Sequence, residues 1–210
     1  MTLIYVASSN KGKLADFAAA AREHGVDILP LPGIETMDAP EETGATFEEN
    51  ARLKAEYYSH YAGGDILIAD DSGLTVDALG GAPGVRSARY AEDAAIVTNH
   101  PDAANNEILI SRTKTIPDSE RQCAFVCSIA AARDGRTLKV FNADARGILL
   151  RSPKGNNGFG YDPLFYFPEL NKSFAEISRE EKLQVSHRGK AFRLFLEWID
   201  ETTRNRSRAT

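Results

Sequence analysis

Residues 66–73 read Ile66-Leu67-Ile68-Ala69-Asp70-Asp71-Ser72-Gly73. The first four are apolar without interruption, so the run lacks the in–out alternation of a strand with one wet face. A strand of this kind is buried on both faces, as in a parallel or mixed sheet covered by helices on each side. It runs directly into two adjacent aspartates. Like charges just after a buried strand are costly unless a cation or a proton intervenes. Asp70-Asp71 therefore reads either as a metal site or as an exposed acidic turn. Magnesium would suit the first reading, because it takes one or two carboxylates together with phosphate oxygens and water.

Upstream, Thr46 and Glu49 have the spacing of a capping box and open a helix whose broad apolar side is Phe47, Ala51, Leu53, Ala55 and Tyr58. Gly63-Gly64 ends it. Leu3 to Ala7 reads as a strand, and Leu14, Phe17, Ala18 and Ala21 recur with the period of a one-faced helix. Between them lies Ser8-Ser9-Asn10-Lys11-Gly12-Lys13. A strand feeding a helix start presents free backbone N–H groups and partial positive charge, to which Lys13 adds a full charge, and that combination can hold phosphate. The same string also reads as an ordinary helix cap with solvated lysines. It lacks the GxxxxGK[ST] spacing of a Walker loop. Gly25 is a helix stop, Asp27 to Leu31 a second strand, and residues 32–44 a Pro-rich acidic loop ending in Glu41-Glu42-Thr43-Gly44. Alone, Glu41-Glu42 reads as a solvated acidic turn.

Downstream, 80–89 is rich in Gly and small residues and reads as a loop. Residues 92–115 are mostly helical, interrupted at His100-Pro101. Asp134-Gly135 between two strand-like runs, Gln122 to Arg133 and Thr137 to Leu150, is a hairpin signal. Ser178 and Glu181 form a second capping box, and Phe192, Leu194, Phe195, Leu196, Trp198 and Ile199 belong to a final helix. The basic tail, residues 204–210, has no apolar pattern and reads as frayed. In Asn157-Gly158-Phe159-Gly160-Tyr161-Asp162-Pro163 the glycines permit close approach of a flat ligand. Phe159 or Tyr161 could stack on a base, and His187 and Arg188 could hydrogen-bond its edge. The plainer reading is a tight turn with buried aromatics, followed by a helix capped by Ser186. His24, His60 and His100 show no metal-ligand spacing.

The alternation of strands and helices suggests a mixed sheet with helices on both sides and a ligand site near strand C-termini. With 210 residues and no internal repeat or long linker, the expectation is one large domain or one domain with two lobes. A net charge of −5 argues against nonspecific nucleic-acid binding. No apolar run has the length of a membrane span, and Met1 leads straight into a strand rather than a signal peptide. Cys123 and Cys127, four apart on one strand, would lie about 13 Å apart, too far for a disulfide. They read as reduced core thiols of a cytoplasmic protein.

Taken in order, these strings form a series. Ser8, Asn10 and Lys13 are followed by Glu41-Glu42-Thr43-Gly44, Phe47-x-x-Asn50-Ala51-x-x-Lys54-Ala55 and Ala69-Asp70-Asp71-Ser72-Gly73-Leu74. Then come Gly80-Gly81-Ala82-Pro83-Gly84-Val85-x-Ser87-Ala88-Arg89-Tyr90, Gly158 to Pro163, Glu180-Glu181-Lys182 and Ser186-His187-Arg188-Gly189. The series resembles the inosine/xanthosine triphosphate pyrophosphatase family from Ser8 to about Ile199. The resemblance implies an α/β fold with an elongated mixed β-sheet and flanking helices. It places two lobes within residues 1–203, around a central nucleotide-binding cleft. With no membrane or nucleic-acid partner expected from charge and apolar runs, it further implies a homodimer, Mg²⁺, and cleavage of a deaminated purine triphosphate (ITP, dITP, XTP or dXTP) to monophosphate and pyrophosphate. By the same resemblance Glu42 and Asp71 hold magnesium, and Asp71 is the proton acceptor or the group that orients the water. Ser8, Ser9, Asn10, Lys11, Gly12, Lys13, Lys54 and Ser72 contact phosphates. Phe159, Gly160, Tyr161, Asp162, Lys182, His187 and Arg188 form the base and sugar pocket. Ser9 stands where the family commonly has Gly, and 92–118 matches it poorly.

Overall fold

A computed structural model describes residues 2–21 and 24–208, with the side chains of Lys11, Asp16, Ala19 and residues 205–208 outside the description. Among the described residues seven strands form one mixed sheet in the order β2-β1-β3-β4-β5-β6-β7. The elements in chain order are β1 (Thr2–Val6), α1 (Lys11–Ala21), β2 (Val26–Pro30), α2 (Phe47–Ser59), β3 (Ile66–Val76), α3 (Pro101–Arg112), β4 (Gln122–Arg133), β5 (Arg136–Leu149), β6 (Phe165–Phe167), β7 (Lys172–Ser173), α4 (Arg179–Val185) and α5 (His187–Arg208). β1 pairs in parallel with β2 and β3, while β6 runs antiparallel to β5 and β7. None of the described helices is long and apolar enough to cross a membrane.

The chain divides into two compact units, the first comprising residues 1–71, 127–143 and 187–210, the second 72–126 and 144–186. In the first unit the apolar run of β3 explains itself. Ile66 and Ile68 pack with Phe17 of α1 and with Phe192 and Phe195 of α5. Leu67 and Ala69 pack with Ala51, Ala55 and Tyr58 of α2. Successive strand residues face opposite ways, so a strand covered on both sides needs apolar residues at every position. The core of the second unit gathers Leu74, Val76, Leu109, Phe125, Phe165 and Phe174.

Three expectations about element ends are corrected. β3 does not stop at Ala69 but continues to Val76, which makes Asp70, Asp71 and Ser72 strand residues. Ser87 supports the continuation: its hydroxyl accepts from Leu74 N at 2.9 Å, and a Cβ on Gly73 would fall 2.3 Å from that oxygen. The region 92–115 is not one interrupted helix. Glu92–Ala94 is a single 3₁₀ turn, and Pro101 is the first residue of α3, where its missing N–H costs nothing. Finally, the backbone is helical to Arg208, past Thr203 where the tail was expected to fray, and residues 209 and 210 of that tail lie outside the described residues.

The local signals were obeyed elsewhere. Thr46 with Glu49 and Ser178 with Glu181 both form reciprocal capping boxes. Asp134 (φ 49°) and Gly135 (φ 76°) both sit in the left-handed region, as a two-residue hairpin turn of the primed type requires. Cys123 and Cys127 are free, buried thiols.

Candidate active site

The strand period sorts the two aspartates. Asp70 continues the face of Ile66 and Ile68, toward α1 and α5; Asp71 continues that of Leu67 and Ala69, toward α2. Asp70 Oδ1 accepts from Lys13 Nζ of α1 at 2.9 Å, and Oδ2 accepts from Arg188 Nε of α5 at 3.4 Å. Asp71 Oδ1 accepts from Lys54 Nζ at 2.9 Å, and Oδ2 accepts from Asn50 Nδ2 at 3.3 Å. Asn50 and Lys54 are one helical turn apart on α2, so they reach the same carboxylate. Lys54 Nζ is also 2.9 Å from Glu42 Oε1.

The charges follow from these contacts. Burial pushes the Asp70 carboxyl up, but the charges of Lys13, Arg188 and Lys54 outweigh it and hold the group well below the usual carboxylate range. Burial also dominates at Asp71, where Lys54 and Asn50 only partly offset it and Glu42 adds to it, so its pKa is raised. Burial alone would lower the Lys54 pKa; Asp71, Asp70 and Glu42 reverse that and raise it. Asp70 is thus an anion held between Lys13 and Arg188. Glu42 and Asp71 both pair with the Lys54 ammonium.

That arrangement fits a divalent cation. Both carboxylates already converge on one positive atom, Lys54 Nζ, and hard oxygen donors of this number match magnesium's habit of taking one or two carboxylates and completing its shell from phosphate and water. Among the described residues no group of three or more His, Cys, Asp or Glu could hold a metal ion by itself.

The Ser8–Lys13 string is a helix entrance, as expected. Ser8 Oγ accepts from Asn10 N at 3.2 Å, and Asn10 Oδ1 caps α1 by accepting from Lys13 N at 3.1 Å. A Cβ on Gly12 would sit 3.1 Å from that same Oδ1. Ser8 is half-buried, Ser9 exposed, and the Lys11 side chain lies outside the described residues. Lys13 points to Asp70 rather than into solvent, which corrects the reading of a solvated lysine. Ser72 is half-buried on β3.

In the second unit, Phe159 N donates to Asp162 Oδ2 at 2.9 Å, and Lys182 Nζ of α4 pairs with the same oxygen. Lys182 also lies 4.8 Å from the centre of the Phe159 ring. Phe159 is 41% exposed whereas Tyr161 is 4% exposed. Tyr161 donates its hydroxyl to Ser87 O at 2.8 Å and belongs to the core, so of the two aromatics Phe159 is the exposed one. Gly160 N donates to Asp102 Oδ2 at 2.8 Å, and its carbonyl accepts from Asn106 Nδ2 at 2.9 Å. His187 and Arg188 are buried at the start of α5 in the first unit, and Arg188 gives its Nε to Asp70. That commitment reduces what Arg188 can offer a base.

Three supporting residues were missed in the sequence. Asn50 stood inside a quoted motif without a role. Asp102 and Asn106 belong to the poorly matching region 92–118; their i, i+4 spacing on a helix beginning at Pro101 was the available signal.

Comparison with known proteins bears on what this site does. A model of the Ham1 family matches residues 4–198. A protein of Acidobacterium capsulatum named dITP/XTP pyrophosphatase is 53% identical over 196 residues, which is 92% of this chain and 96% of that protein. The structure of the Staphylococcus aureus Ham1 protein superposes with a TM-score of 0.81 at 40% identity, covering 96% of this chain and all of that one. A structure from Mycobacterium abscessus titled nucleoside-triphosphatase / dITP/XTP pyrophosphatase gives a TM-score of 0.72 at 40% identity, covering 93% of this chain and 99% of its own.

Proposed function

The chain belongs to the Ham1 family, and from that premise we propose that it hydrolyses deaminated purine nucleoside triphosphates of the dITP and XTP class to the monophosphate and pyrophosphate. The observation that carries the reading is the convergence of Glu42 and Asp71 on Lys54, with Lys13 of α1 paired to the adjacent Asp70 on the other face of β3. Triphosphate hydrolysis needs that combination: carboxylates for a cation and lysines for the leaving pyrophosphate.

Mg²⁺ is the proposed cofactor, and Glu42 and Asp71 are its protein ligands. When bound, it would neutralise phosphate charge and polarise the phosphorus under attack. Lys54 keeps its proton at neutral pH, because the surrounding carboxylates raise its pKa. It therefore serves as the cation that offsets charge building on the leaving group. The α1 entrance, Ser8 to Gly12, and Ser72 supply hydrogen bonds to phosphate oxygens, and Lys13 adds charge there. Asp71 orients the attacking water or takes its proton. Asp162 and Lys182 fix the Gly158–Asp162 turn, from which Phe159 stacks on the purine, and Gly160 and Tyr161 shape that turn. His187 and Arg188 favour a 6-oxo group, which accepts hydrogen bonds, over adenine's amino group, which donates. The working form is a homodimer in the cytoplasm.

The test is incubation with dITP, ITP, XTP, GTP and ATP in the presence of Mg²⁺, with pyrophosphate and orthophosphate measured separately. Pyrophosphate should appear from dITP, ITP and XTP at a higher kcat/KM than from ATP. Orthophosphate as the primary product, or equal kcat/KM for dITP and ATP, would end this reading.

A further inference from the structure

Asn50 is 1% exposed, a costly place for an amide unless both of its ends are used. Both are. Gly44 N donates to Asn50 Oδ1 at 2.8 Å, and Asn50 Nδ2 donates to Asp71 Oδ2 at 3.3 Å. A backbone N–H can only donate, so the atom facing Gly44 is the oxygen and the atom facing Asp71 is the nitrogen. The amide therefore has one orientation, donor toward the carboxylate.

Each end touches the support of one carboxylate. Gly44 closes the loop that carries Glu42, and the approach there is tight: a Cβ on Gly44 would lie 2.6 Å from Asn50 Oδ1 and 2.7 Å from Glu49 Cβ. That contact presses the loop onto the first turn of α2. At the other end Asn50 takes Asp71 Oδ2, while Oδ1 meets Lys54. An aspartate side chain can turn about its last bond. Holding one oxygen decides where the other one points.

We propose that Asn50 is a positioning residue that sets Glu42 and Asp71 against each other, so that Glu42 Oε1 and Asp71 Oδ1 meet one shared cation. The inference rests on the metal-dependent pyrophosphatase reading above and deepens it. Partners that orient metal ligands typically account for 10- to 100-fold in metal affinity or activity when removed. A residue that merely seals the loop would need only its oxygen. The two roles therefore separate on the nitrogen.

Two variants make the separation. Asn50→Ala removes both hydrogen bonds. Asn50→Asp keeps an oxygen for Gly44 N but replaces the donor facing Asp71 with a second acceptor. The readouts are kcat and KM for dITP at saturating Mg²⁺, the Mg²⁺ concentration for half-maximal rate, thermal melting, and Mn²⁺ binding without nucleotide by electron paramagnetic resonance. Asn50→Ala should weaken Mn²⁺ binding and raise the half-saturating Mg²⁺ by about tenfold or more. Asn50→Asp should lower kcat by a similar factor, with KM within about twofold, because substrate contacts are untouched. Wild-type turnover in Asn50→Asp overturns the proposal. So does wild-type Mn²⁺ affinity in Asn50→Ala, measured below its melting transition. If the wild-type protein releases no pyrophosphate from dITP, the pyrophosphatase reading fails instead, and the Mn²⁺ titration still decides the role of Asn50.

Discussion

Asp70 lies between Lys13 and Arg188, while Asp71 faces Lys54 and Asn50, and their removal should have opposite consequences. Asp71→Asn deletes the proposed metal ligand and base, and kcat should fall by about 10²-fold or more. Its stability should not fall with it. The folded-state pKa of Asp71 is raised, so its ionisation costs stability as pH rises through that value, and the amide removes the cost. Near wild-type turnover, or a clearly lower melting temperature at pH 7, would contradict this assignment. Asp70→Ala instead removes the carboxylate that Lys13 and Arg188 share and should cost about 3 kcal/mol, read from denaturant unfolding. The pH dependence has a definite sign here. The folded pKa of Asp70 is depressed, so its contribution is fully present above the unfolded value of about 3.9 and is lost as pH falls below it. The wild-type protein should lose stability below about pH 4 through this group, and Asp70→Ala should show less of that acid loss. The pairing of the aspartates was not legible in the sequence. Their adjacency was visible and suggested a metal site or an acidic turn, but not that one of the two is a structural counter-ion.

Elements defined by neighbours a few residues apart were readable: both capping boxes, the Asp134-Gly135 turn and the entrance to α1 appear where the residues said they would. The end of β3 was misread because Asp70-Asp71-Ser72-Gly73 has the composition of a turn. Lys13, Lys54 and Ser87 supply the partners that let it continue as strand, and none of them is near in sequence. The Gly158–Asp162 turn gives a prediction at this scale. Gly158 has φ +76°, and an added Cβ would meet the Asp162 carboxylate that holds Phe159 N and Lys182. Gly158→Ala should displace that carboxylate and raise KM for dITP by about tenfold, the scale of one lost charged hydrogen bond. The Mg²⁺ concentration for half-maximal rate should stay unchanged. A shift in Mg²⁺ dependence with unaltered KM would show that this turn serves the metal rather than the nucleotide.

For the molecule as a whole, β3, β4 and β5 each contribute residues to both compact units. Melting of either core should therefore disturb strands that also build the other. Cys123 belongs to the core of the second unit and Cys127 to that of the first, and burial pushes both thiols up to about 12. Neither should react with iodoacetamide at pH 8 in the native protein, since the thiolate is the nucleophile. In a guanidinium titration both should label with one midpoint. The tryptic peptide 122–133 carries both thiols, so mass spectrometry counts the labels directly, and a populated singly labelled peptide would show the units unfolding separately. The sequence alone determined the α/β class, the helix caps, the hairpin and the ordered strings that resemble the pyrophosphatase family. Each of these is written in local hydrogen bonding, in apolar period or in short motifs. Tertiary structure alone decided which aspartate is neutralised, that Tyr161 is core while Phe159 is exposed, and that Asn50 joins the Glu42 loop to Asp71. Those outcomes depend on charges and donors brought together from 57 and 118 positions away in the case of Asp70. At such separations the strand period and the packing of helices on each face, not proximity along the chain, select the partner.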